Sequence, residues 1–149
     1  MIQALEQTVL ELLRLDVTFT DRVRVDAMPD IPAPNSGSVR GDGVCYVRFV
    51  GVDMSGVSGM NRGPFVQDGI AQVELHFFLR TLRDHAGAYP LLEKAIEILV
   101  GHRPNVGDGF SIALPGLYLK TIVPVSKSKD SGYWHWVEVF ETNITYEAK

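Results

Sequence analysis

A single cysteine, Cys45, among 149 residues excludes an intrachain disulfide. The fold must therefore be held by packing, and a reducing compartment is the expectation. Charge of one sign is also lacking. Lys and Arg number 14 against 18 Asp and Glu, a formal net charge of −4. A protein that neutralises phosphates shows a basic excess, so no specific nucleic-acid binding is expected. No apolar run approaches the ~20 residues of a membrane-spanning helix, so no membrane partner is expected. The opening MIQALEQTVLELL carries acids early and no basic start, so no signal peptide is expected. Asn143-Ile144-Thr145 matches a glycosylation sequon and, without a secretory signal, reads as strand chemistry.

Catalytic signatures are missing as well. There is no G-x-x-x-x-G-K-[ST] phosphate loop, no G-x-G-x-x-G between strand and helix, and no G-x-S-x-G elbow. The histidines are His76, His85, His102 and His135, and no pair has the spacing of metal ligands on one element. Asp84-His85 is an adjacent acid and base, but neighbours in a turn seldom face each other, and the pair reads as turn or cap. Gly41-Asp42-Gly43 and Gly107-Asp108-Gly109 read as turns. Cys45 lies in an apolar run and reads as a small core residue. Glu138 and Glu141 fall on opposite faces of one strand and cannot act as a dyad. No catalytic, cofactor-binding or metal-ligating residue is assigned, and no cofactor is expected.

What the chain does have is a core and clear periodicity. Apolar residues make up 46% and charged residues 21%, which suits one globular domain spanning 1–149. Residues 2–15 place Ile2, Leu5, Val9, Leu12 and Leu13 on one helical face. Residues 21–25 alternate as a short strand. Residues 28–43 hold three prolines and three glycines and form a long loop. Residues 44–52 are a β-branched and aromatic strand, and residues 53–64 form a second Gly-rich loop. Ala71, Val73, Leu75, Phe77 and Leu79 then alternate with Gln72, Glu74, His76 and Arg80, the mark of an antiparallel strand with one covered face. After a turn, Tyr89-Pro90 opens a helix with buried Leu92, Ala95, Ile96 and Leu99, which Gly101 stops. Residues 105–110 are a turn. Residues 117–125 and 133–146 are strands, the first marked by Pro124 as an edge.

The closing strand is apolar on both faces, with Trp134, Trp136, Phe140, Ile144 and Tyr146 on one and Val137 and Val139 on the other. Such a strand is often covered on both sides, and here the second cover could be another subunit. The predicted fold is α+β, a mainly antiparallel sheet with two helices on one face and long inserted loops at about 28–43 and 53–64. Those loops carry Met28, Ile31, Val39, Met54, Val57 and Met60. They read either as segments that order against a partner or as surface loops with incidental apolar residues.

Several pieces together resemble a known family. They are FVQDG before an alternating strand, Gly87-Ala88-Tyr89-Pro90-Leu91-Leu92-Glu93, a helix ending Gly101-His102-Arg103-Pro104, and a closing W-x-W-x-x-x-F-x-T strand. This set, over residues 44–146, resembles the small tail proteins of Mu-like contractile phages, tail terminator type; the N-terminal helix matches in kind only. The resemblance implies a ring, a homohexamer, that caps the tail tube and presents a surface to head or neck. The implied partners are copies of itself, the tail tube, and sheath or neck proteins, and the implied location is the virion tail, or host cytoplasm during assembly. A prophage or contractile injection system would use the same part. Ring interfaces are heterologous and favour aromatic, Met and Arg anchors. Met54, Met60, Arg62 and Phe65 in one loop and Trp134 and Trp136 on the closing strand are the candidate interface residues, the tryptophans suiting a core equally well. The alternatives are a head–tail connector or baseplate component, and a small oligomeric enzyme with a border site built from His85, Asp84, Arg83 or His102.

Overall fold

The computed structural model describes residues 2–29, 43–55, 66–80, 88–107, 109–127 and 133–147. The first helix, α1, spans Ile2–Leu15 and buries Leu5, Val9, Leu10 and Leu13. That stripe differs from the sequence pattern at three positions: Ile2, at the first helical position, is 53% exposed, Leu12 is only partly buried, and Leu10 is buried. Asp16 then breaks the helix and starts a new one. Its carboxylate accepts from the Phe19 backbone N–H at 2.9 Å and caps a single turn, α2, Val17–Thr20. The sequence analysis does not predict this turn, although Asp16 three residues before Phe19 is the N-cap signal for it. It swings Phe19 into the core, edge-on to Phe77 at 6.1 Å. Closing α2 uses Asp21 and Arg22, whose N–H groups donate to Val17 and Phe19. The following strand, β1, is therefore Val23–Ala27 and not 21–25.

The remaining elements are β2 (Gly43–Met54), β3 (Val66–Arg80), α3 (Tyr89–Leu99), β4 (Phe110–Ile112), β5 (Tyr118–Lys127) and β6 (Tyr133–Glu147). Among the described residues they make one six-stranded sheet in the order β1-β2-β3-β6-β4, with β5 also on β6. Since β3 occupies one side of β6 along its whole length, β4 and β5 share the other side. Pairing is antiparallel except for β1 with β2. The expected α+β class with a mainly antiparallel sheet holds. Two boundaries differ. Asp53 and Met54, read as loop, continue β2 because they pair with Ile70 and Gly69. Phe110–Ile112, read as the end of a turn and beyond, pairs with β6 as a short strand. Most of the two long loops lies outside the described residues.

The helices bury one face of the sheet. Leu5, Leu13, Phe19 and Leu99 from the helices meet Leu75, Phe77 and Phe140 from the strands, all fully buried. Each such side chain contributes about 1.5–3 kcal/mol relative to exposure. The Gly-His-Arg-Pro stretch after α3 has a structural task. Gly101 takes φ +85° and its N–H donates to Leu117 C=O, while Leu117 N–H donates to His102 C=O, both at 2.8 Å. Arg103 donates Nε and Nη2 to the Ile112 carbonyl at 3.2 and 2.8 Å. The end of the helix is thereby tied to the β4–β5 corner.

Candidate assembly surface

The face of the sheet away from the helices is built from the other parity of each strand. In its first half it is apolar and aromatic. Val44, Tyr46, Val137 and Val139 are buried there, yet none belongs to the core cluster under the helices. Phe78 stacks on the His135 ring, centroids 4.3 Å apart, and meets Tyr46 edge-on at 5.9 Å. Arg24 reaches across from β1, donating Nη2 to the Tyr46 hydroxyl at 3.2 Å and pairing through Nε with Asp26 at 2.8 Å.

A line of polar groups crosses this apolar ground. Glu74 Oε2 lies 2.8 Å from His76 Nε2, and His76 Nδ1 lies 2.9 Å from His135 Nε2. Arg48 sits 3.8 Å from the same carboxylate. Burial, then the neighbouring His76, pulls His135 down to about 4, so its ring is neutral at neutral pH. Among the described residues no Ser, Thr or Cys side chain hydrogen-bonds either imidazole, and no group of three or more His, Cys, Asp or Glu is placed to hold a metal ion.

In its second half the same face is polar and open. Two adjoining hollows of about 490 Å³ each share Asp53 and Ile70, the latter 40% exposed. Thr145 donates its hydroxyl to Asp68 Oδ1 at 2.8 Å, and Lys120 lies 3.5 Å from Glu141. At the flank, edge strand β5 exposes Ile122, Val123 and Val125 at 37%, 43% and 51%. Pro124, within β5, has no N–H to offer a further strand.

The residues singled out from sequence fall in different places. Trp136 is buried on the helix side, edge-on to Tyr89 at 6.1 Å, and Trp134 packs partly buried against the same core. Met54 also packs partly buried against the core from the end of β2. Met60, Arg62 and Phe65 lie outside the described residues, as do Arg83, Asp84 and His85. His102 is exposed, its carbonyl serving the helix-end corner. Cys45 is fully buried, and burial, then Glu138, raises its thiol well above the usual range.

Sequence reasoning missed two features. The His76–His135 pair needs the strand register, which sets Phe78 opposite His135 and His76 opposite Val137. Glu138 was legible: it shares parity with Trp136 and Phe140 and so points under the helices, fully buried.

No protein-family model matches the chain, and no curated protein does. Among solved structures, one that matches is a chain of the "Virion of native gene transfer agent (GTA) particle". Its TM-score is 0.55 at 20% identity, over 98% of this chain and 96% of that one. The likeness is one of fold, from end to end of both chains.

Proposed function

We propose that the chain is a structural subunit of a phage-like particle, a tail component that assembles into a closed ring at the end of the tail tube. The observation that carries this reading is the fold shared with a chain of a gene transfer agent virion over nearly the full length of both. The motif resemblance to Mu-like tail proteins points the same way. So does a sheet whose outer face is half apolar, covered ground and half open and polar. In this reading the protein is not an enzyme; it works through contacts with further copies and with tube and neck proteins, in the virion. The ring is a homohexamer with heterologous borders.

Native mass spectrometry and negative-stain imaging of the purified chain, alone and with tail tube protein, test the proposal. Closed rings, free or on tube ends, are the expected result. Monomer alone under both conditions would falsify it. Labelling the chain in intact particles separates a terminator, found at the head-proximal end of the tail, from a baseplate component at the far end.

A further inference from the structure

Glu138 stands in the middle of β6 on the face that the helices cover. It is fully buried, and among the described residues neither carboxyl oxygen has a hydrogen-bond partner. A bare carboxylate in such a place costs several kcal/mol, so the group must keep its proton. Burial alone lifts its proton affinity, to about 9.

Among the described residues no neighbouring charge relieves it. On β3 it faces Leu75, with Val73 and Phe77 alongside, all buried. On β6 itself Trp136 and Phe140 flank it. On β5 its partner is Ile122, with Leu119 and Pro124 on the same face. From β2 comes the Cys45 thiol, fully buried and neutral because burial raises its proton affinity. On the helices, Glu6 accepts from the Phe49 N–H, Arg14 pairs with Asp26, Lys94 pairs with Asp16 and Glu97, and Glu11 and Glu93 are exposed.

One flank is thin. Leu75 and Phe140 are fully buried, but Ile122 is 37% exposed and belongs to an edge strand. Among the described strands, β5 pairs with β6 alone, and its register slips twice, between Leu119 and Thr121 and between Pro124 and Ser126. Lifting β5 is therefore the shortest way to bring the carboxyl to water.

We propose that Glu138 is a proton-dependent latch on β5: the strand lies closed on β6 while the carboxyl keeps its proton, and opens by letting the side chain reach solvent and give that proton up. In the open strand the carboxyl is solvated and has an ordinary affinity near 4.5. Opening then releases one proton at any pH between the two values. The opening constant rises about tenfold per pH unit in that window and levels off above it.

Hydrogen exchange of the full chain, read peptide by peptide as protection factors from pH 6 to pH 8, tests this. The expected result is a fall of about a hundredfold in β5, with little change in α1, β2 and β3. In Glu138→Gln, and in Glu138→Leu as a second variant, β5 protection should be flat with pH. The wild-type series needs no variant and stands if either fails to fold. PH-independent protection in wild-type β5 overturns the latch. So does an equal fall in α1, β2 and β3, or a slope that persists without the carboxyl. An infrared band of a protonated carboxyl at pH 7, absent from Glu138→Gln, supports it, and its absence from the wild type overturns it.

Discussion

The imidazoles of His76 and His135 meet across β3 and β6, Nδ1 of the first 2.9 Å from Nε2 of the second. One proton at most can lie between those atoms. With burial and His76 holding His135 down to about 4 against an ordinary 6.5, the folded chain binds fewer protons than the unfolded chain between those values. The stabilisation is complete above about pH 6.5 and is lost as pH falls through 4. Because His135 is only partly buried, the loss should be about 1–2 kcal/mol, less than the full shift implies. Urea titrations of the wild type and of His135→Gln at pH 7 and pH 4.5 check this: between those pH values the wild type should lose about 1–2 kcal/mol relative to the variant, a comparison in which the opposite contribution of buried Glu138, common to both, cancels.

The corner after α3 depends on a glycine without an alternative. Gly116 has φ +87°, and a Cβ there would strike the His102 carbonyl that Leu117 N–H uses. Gly116→Ala should cost about 2 kcal/mol or more. Arg103→Ala removes the two donors to Ile112 C=O and should cost about 1 kcal/mol, since the side chain is exposed. Denaturant midpoints measure both. A larger loss for the arginine than for the glycine would contradict this account.

Cys45 should be inert in the native state. It is fully buried with its thiol affinity raised, and the thiolate is the reactive form. A disulfide-exchange reagent should label one thiol at once in denaturant and none on the same timescale in buffer. Rapid native labelling would show that the β2 face opens readily.

Phe140 lies at the centre of the sheet, fully buried between Val73 on β3 and Leu119 on β5. Phe140→Ala should destabilise by about 3–5 kcal/mol through the cavity it leaves. Val123→Ala, at a site 43% exposed on the outer edge, should cost under about 1 kcal/mol. Comparing the two by thermal unfolding tests whether the helix-covered centre of the sheet, and not its β5 edge, carries the stability of the subunit.

Much of the fold follows from periodicity that neighbours in the chain enforce on each other. Alternation from Ala71 to Leu79 marks β3 because successive side chains point to opposite faces. Pro90 and Gly101 bracket α3 because one fits the first turn and the other a left-handed stop. Cys45 and the apolar parity of β6 are legible for the same local reason. Even α2 has its signal in Asp16, and Glu138 in its parity with Trp136.

What only the tertiary structure decided is who lies beside whom. Pairing β2 through Met54, adding β4 to the far end of β6, and setting β1 parallel to β2 are choices of register between distant segments. That register joins His76 to His135, removes Trp136 from the surface, and leaves Glu138 sealed behind Ile122 on an edge strand. The sequence by itself determined the longer elements and their faces, because periodicity is local, while the short α2 and β4 carry too few residues to show a period. Burial, proton affinity and the division of the outer face into apolar and polar halves belong to the assembled sheet, because they depend on the summed surroundings of each group.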